Sequence, residues 1–304
     1  MILVSTIVFC LVLSVVFVNI SSGKKTIELS IVGEAFDSLP SDEKWNPVAD
    51  LNGDGIIDVK DLALVGKDKV RTSKGIKTIS NALQAGDGST VISVEPSDMY
   101  IHKTDFDVDV DITDALDTWA WQFRLNWDPT VLNITSVTEG TFLSQGIYNT
   151  SLARGVSIVI NHDEGWALIA NTLLEEPVAY PTGNGTLATI NFEVIEPVPV
   201  SGNRMLNLNE TILLLGDGET EYSHSTEDGN FDVCVGDING DRIVNIVDAS
   251  IVSAHWYPGP PIGPLGFDSV ADLNNDGIVN ILDASIVSAH WYPGPPIGPL
   301  GHAC

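Results

Sequence analysis

Residues Asp248–Gly266 read DASIVSAHWYPGPPIGPLG, and Asp283–Gly301 repeat those nineteen residues without a change, at an offset of 35. Duplication of one supersecondary unit is the simplest origin, so the C-terminal part of the chain is two copies of a single design. The segments just upstream, GDINGDRIVNIV and ADLNNDGIVNIL, align at the same offset, and a third relative, ADLNGDGIIDVKDLALVGK, spans Ala49–Lys67. Each is an Asp/Asn/Gly stretch followed by an apolar run (Leu62–Val65, Ile246–Val252, Ile281–Val287), which predicts a loop leading into a helix. The two C-terminal helices are predicted short, because Pro258 and Pro293 cannot continue them.

Asp, Asn and Gly are common in turns, but their order here is more specific. A flexible calcium loop places oxygen ligands at positions 1, 3, 5, 7 (through a backbone carbonyl), 9 and 12, with glycine at 6 for the sharp turn. The first candidate offers Asp50, Asn52, Asp54, the Ile56 carbonyl, Asp58 and Asp61, with Gly55 at the turn. The second offers Asp237, Asn239, Asp241, the Ile243 carbonyl, Asn245 and Asp248. The third offers Asp272, Asn274, Asp276, the Ile278 carbonyl, Asn280 and Asp283, with Gly277 at the turn. The second loop departs at position 6, where Arg242 has to adopt a conformation that costs about 1 kcal/mol more than for glycine. The balance of 41 acidic against 14 basic residues, formal charge −27, repels nucleic acid and anionic lipid and attracts divalent cations. The cofactor expectation is therefore Ca2+, two ions in the C-terminal module and a third in the N-terminal segment.

Between the first loop and the second, 90–233 alternates like strands. Phe106, Val108, Val110 and Ile112 alternate with Asp105, Asp107, Asp109 and Asp111, apolar on one face and carboxylate on the other. The same period runs through Trp119, Trp121, Phe123, Leu125 and Trp127, and shorter runs follow at Ser157–Ile160, Ala167–Ala170, Leu187–Ile195 and Ile212–Leu215, separated by turn signals. The expectation is an antiparallel β-sandwich. Residues 71–89, rich in Lys, Ser and Gly, read as a linker.

At the amino end, Met1–Ile20 is apolar apart from Ser5, Thr6, Ser14 and Asn19, and Lys24-Lys25 begins a polar chain; this reads as an export signal, cleaved or retained as an anchor. Sequons at Asn133, Asn149, Asn184 and Asn209 agree with export. Cys10 lies in the leader, and the pair left, Cys234 and Cys304, suggests one disulfide in an oxidising compartment.

Two loops ending in Asp rather than Glu, each followed by a single helix with none before it, resemble a type I dockerin over Val233–Cys304. The stretch Thr90–Val233 resembles a cohesin domain through FDVDV from Phe106, QFRLNWDP from Gln122, GTLATINFEV from Gly185 and DGNFDV from Asp228. The likeness is to non-cellulosomal archaeal or bacterial surface proteins. It implies a mainly β protein with small α modules: an antiparallel, jelly-roll type, cohesin-like sandwich plus dockerin-type loop-helix modules. The implied division is 1–23 signal peptide or anchor, 24–70 a single dockerin-like loop-helix segment, 71–89 linker, 90–233 sandwich and 234–304 the two-repeat dockerin-like module.

In that family the two units pack antiparallel about a pseudo-twofold axis and their helices bind a cohesin. The resemblance thus implies cohesin- or dockerin-bearing partners, a Cys234–Cys304 clasp across the module's ends, and a partner surface of Ile246, Val247, Ile251, His255, Ile281, Leu282, Ile286 and His290. Cellulosomal dockerins often have Ser or Thr at positions 10 and 11, where this chain has Ile246-Val247 and Ile281-Leu282, so the partner set is expected to differ. Near-identity of the repeats implies two binding orientations of similar energy, and only a few residues between Val233 and Asp237 imply self-association between chains rather than folding back.

An enzyme is not expected. No segment remains for a catalytic module, and pairs such as Glu175-Glu176 read as solvated charge. The alternative function is a carbohydrate-binding surface protein, with Trp119, Trp121 and Trp127 as an aromatic platform for polysaccharide. Their parity with Phe123 and Leu125 places them in the core instead.

Overall fold

The alternating run at Phe106 becomes the spine of one sheet. In the computed structural model, which describes residues 28–74, 89–155, 157–195, 204–257, 259 and 267–291, Asp105–Ala115 is strand β3, with Val108, Val110 and Ile112 fully buried. It lies between β1 (Val91–Glu95) and β8 (Gly183–Val194) in a five-stranded sheet of order β10-β1-β3-β8-β5, where β5 is Leu132–Glu139 and β10 is Ser225–Glu227. The facing sheet has six strands, ordered β2-β11-β9-β4-β7-β6. These are β2 (Asp98–Ile101), β4 (Thr118–Asn126), β6 (Ile158–Asn161), β7 (Trp166–Thr172), β9 (Met205–Leu215) and β11 (Gly229–Val233). The sandwich is antiparallel except where β1 pairs parallel with β10 and β2 with β11. The expected antiparallel sandwich thus carries a parallel pairing at one edge of each sheet; β2 and β10 are short strands whose partners come from the far end of the domain.

Alternation holds along β4 only in part. Trp121 stacks on Phe123 (5.5 Å between rings), and Trp127 meets Phe192 of the opposite sheet edge-on (5.7 Å). Trp119, however, sits at a register shift against β9, where Thr118 pairs with Leu215 and Ala120 with Leu214. The extra residue is a bulge, and a bulge re-aims its side chain. The Trp119 indole is buried not between the sheets but on the outer face, with the Lys67 ammonium 3.5 Å from the ring centre and Tyr180 edge-on at 6.3 Å. Trp119 is buried as expected, in the part of the core that the N-terminal unit shares with the sandwich.

Over this outer face lies the N-terminal segment. Helix α1 (Leu29–Glu34) packs on α2 (Val59–Lys74), and α2 packs on β4 and β7. Since α2 runs to Lys74, Arg71–Lys74 belong to a helix rather than to the linker expected over 71–89. The lone loop-helix unit also finds what its missing partner would supply. Ile57, at position 8 of its loop, is bridged by Ser38, as Val279 at position 8 of the third loop is bridged by Tyr257. Leu29, Val32 and Phe36 bury themselves in one core shared with the sandwich. A short helix, α3 (Thr141–Ser144), follows β5.

After β11 come α4 (Ile246–Ala254) and α5 (Ile281–Ala289), nine residues each, which share a small separate core of Val244, Val252, Ala271, Leu273, Val279 and Val287. The module is not held off the sandwich, contrary to the tether argument. Its third loop leans on the turn between β2 and β3: the Thr104 N–H donates to the Leu273 carbonyl at 3.0 Å, Lys103 Nζ to Asn275 Oδ1 at 2.5 Å, and Asn275 Nδ2 to Asp105 Oδ2 at 3.0 Å. The helices α4 and α5 nevertheless keep their loop-proximal ends open to solvent.

Candidate functional site

The three loops share one framework of hydrogen bonds. The position-12 carboxylates, Asp61, Asp248 and Asp283, are fully buried at the first turn of their helices. Their Oδ1 atoms accept from the position-2 N–H groups of Leu51 (2.7 Å), Ile238 (2.9 Å) and Leu273 (2.8 Å). Their Oδ2 atoms accept from the position-9 N–H groups of Asp58 (3.0 Å), Asn245 (2.8 Å) and Asn280 (2.7 Å). In the two C-terminal units this completes a capping box, because the Asn245 and Asn280 side chains in turn accept from the helix N-terminus.

Position 1 accepts the position-6 N–H: Asp50 from Gly55 (3.1 Å), Asp237 from Arg242 (2.6 Å), Asp272 from Gly277 (2.9 Å). Position 5 accepts the position-7 N–H: Asp54 from Ile56, Asp241 from Ile243 and Asp276 from Ile278, all within 2.8–2.9 Å. Backbone curvature is likewise shared. Position 6 is left-handed in every copy (Gly55 φ +85°, Arg242 +66°, Gly277 +79°), and so is position 4 (Gly53 +77°, Gly240 +74°, Asn275 +53°). The second left-handed position was not read from the sequence. Its signal was there, because glycine recurs at position 4 of two loops and Asn, the next residue most tolerant of that conformation, fills the third.

This donor set suits a hard cation. Each loop offers Asn and backbone carbonyl oxygens beside its carboxylates, the mixture calcium prefers. Asp50, Asn52, Asp54, Ile56, Asp58 and Asp61 would hold one ion, Asp237, Asn239, Asp241, Ile243, Asn245 and Asp248 a second, and Asp272, Asn274, Asp276, Ile278, Asn280 and Asp283 a third. Electrostatics agree. Burial, and then the charge of Asp61, push the Asp58 carboxyl up to about 6, and burial pushes Asp61 up to about 6 as well. Burial also raises Asp272, with Asp283 and Asp276 adding to it. Carboxylates that resist ionising when crowded want a cation among them.

The predicted partner surface divides in two. Ile246 is 67% exposed, Val247 46%, Ile281 67% and Leu282 51%. By contrast Ile251 and Ile286 are half-buried against the module's own core, and His255 and His290 cap the helices, with His290 Nδ1 2.7 Å from the Ile286 carbonyl. Cys234 is buried and disulfide-bonded, while Cys304 and the leader lie outside the described residues. Trp119, Trp121 and Trp127 are all buried and give a sugar no ring face. The second loop also has an outer partner that the sequence did not suggest: the Tyr100 hydroxyl of β2 donates to Asp237 Oδ2.

Paired loop-helix units of this geometry follow a two-sheet sandwich. Residues 235–292 match the family model described as Dockerin type I domain. Solved structures similar to this chain include a non-cellulosomal cohesin from the hyperthermophilic archaeon Archaeoglobus fulgidus, at 17% identity and TM-score 0.38, covering 49% of this chain and 93% of that one. Another is the third cohesin ScaC in complex with the ScaB dockerin from Acetivibrio cellulolyticus (21%, TM-score 0.39, 48% and 99%). A third is a cohesin from Clostridium acetobutylicum in solution (16%, TM-score 0.38, 48% and 90%). Among curated proteins none matches the chain.

Proposed function

We propose that this chain is an extracellular, calcium-binding scaffold or adhesion protein that assembles with cohesin- or dockerin-bearing partners and carries no catalytic site of its own. The observation that carries this reading is the threefold recurrence of one ligand geometry, two copies of which lie in the segment matching the dockerin type I model. In each copy the chain's residues bind and orient: buried position-12 carboxylates are fixed by two N–H groups and tie the loop to the first turn of its helix. Calcium, when bound, neutralises the loop carboxylates. The loop and helix then hold one shape, and exposed Ile246, Val247, Ile281 and Leu282 are presented as a preformed apolar surface. A preformed surface loses little entropy on binding. Export, a Cys234–Cys304 clasp and a role near polysaccharide belong to this reading through the leader and the family resemblance.

Calorimetry of the full chain against calcium is expected to resolve two sites in the C-terminal module and a third in the N-terminal unit. With the full chain as bait, cohesin- or dockerin-bearing proteins are expected to be captured in calcium and lost in chelator. No calcium heat, or capture indifferent to chelator, would overturn the reading.

A further inference from the structure

We infer that the chain's own N-terminal unit, seated on the outer face of β4 and β7, restrains assembly in cis, because the α4 and α5 units of a second copy compete for that face. The inference rests on the assembly reading above and states where assembly takes place and what restrains it.

Three related units allow their helix faces to be compared position by position. Counting from the first loop ligand, positions 10, 14 and 17 fall on one helix face, being four and three residues apart. In α2 these are Val59, Ala63 and Gly66, all buried on the sandwich. In α4 they are Ile246, Ser250 and Ser253, and in α5 Ile281, Ser285 and Ser288, all exposed. The face that one copy spends on the sandwich is thus the face that the other two leave bare.

The cis contact is built for close approach. The Val59 N–H donates to Gln122 Oε1 of β4 at 3.2 Å, which satisfies a helix-terminal donor with a side chain of the sheet. A side-chain carbon at Gly66 would lie 2.2 Å from the Leu173 carbonyl oxygen and 3.3 Å from the Trp119 ring, so only glycine seats here. Lys67 covers Trp119 and also donates to the Gly216 carbonyl, and Lys60 pairs with Glu221 at 3.3 Å. The competing units carry Ser at position 17 and cannot approach Leu173 as closely. Together with the high effective concentration of a partner on the same chain, this makes the cis unit win until something loosens it.

The test is self-association of the full chain in calcium, read by sedimentation over a concentration series. Gly66→Leu is expected to tighten self-association at least tenfold over the parent chain by unseating α2, and adding Ile246→Asp and Ile281→Asp is expected to reverse the gain. Lys60→Glu, which sets two carboxylates against each other, is expected to give a smaller gain in the same direction, and Lys60→Glu with Glu221→Lys to remove it. The second pair decides the matter if Gly66→Leu disturbs the sandwich by near-ultraviolet circular dichroism. Equal association by parent and variants overturns cis occupancy and leaves the assembly reading standing. No association by any of these chains overturns the second-copy competitor, and with it self-assembly as the mode of action.

Discussion

At position 6 of the second loop the chain puts an arginine where the turn demands φ +66°. A non-glycine residue in that region costs about 1 kcal/mol, while the ion pair that Arg242 makes with Asp232 at 3.0 Å is solvent-exposed and of the kind that contributes about 0–1 kcal/mol. Strain wins narrowly. Arg242→Gly is therefore expected to tighten the second calcium site up to about fivefold by calorimetry, and an unchanged or weaker site would show that the ion pair decides. Tyr100→Phe should act oppositely, weakening the same site about tenfold because partners of a ligand orient it, and leaving the other two sites alone. Spacing alone proposed the eighteen loop positions, because a calcium loop sets the order of its oxygen donors along the chain. Tyr100 was invisible to it, since 137 residues separate that hydroxyl from Asp237.

For single elements the question is what keeps helices of nine residues in place. Isolated helices that short are marginal in water, and α4 and α5 share only a small core. Chelation is expected to abolish amide-exchange protection in both while the sandwich strands stay protected; retained protection would mean that packing alone suffices. The N-terminal unit adds a pH signature. Asp58 and Asp61 have folded-state pKa values of about 6, above the ordinary value of 3.8. A raised carboxyl binds its proton more tightly folded than unfolded. In chelator its stabilising contribution is then complete below about pH 4 and is lost as pH rises through 6. The protection factors of α2 amides, with the intrinsic pH dependence of exchange divided out, should accordingly fall between pH 4.5 and 7 in chelator and stay level in calcium, and the opposite slope would refute the assignment. The sequence disclosed that α2 exists, through Leu62–Val65, but not what it covers. An apolar helix face names no partner, and the parity of Trp119 foretold its burial but not that Lys67 of α2 would cover it, because a bulge leaves no mark in a period of two.

For the whole molecule, the sandwich and its paired loop-helix module were legible because both write regular periods into the chain. The parallel edge strands and the lean of the third loop on the β2–β3 turn were not, since they join segments far apart in sequence. A last consequence concerns load. The strand that leads into the C-terminal module, β11, runs beside β2 and β9, and Val233 is separated from Asp237 by three residues. Tension leaving through that module pulls β11 along its length and loads its ladder bonds together, in shear. The N-terminal unit is held instead by α2 on β4 and β7, by its share of the common core and by the Asp37–Arg124 ion pair, none of them a strand ladder, and comes away contact by contact. Stretched from its two ends in single-molecule force spectroscopy, the chain is expected to yield first in a small step, as α2 peels from the sheet, and only at higher force in the large step of the sandwich. A single event would contradict this order. A molecule that yields so under tension would bare the outer face of β4 and β7 only while it is being pulled, which makes strain between two anchored surfaces the signal for joining them more firmly.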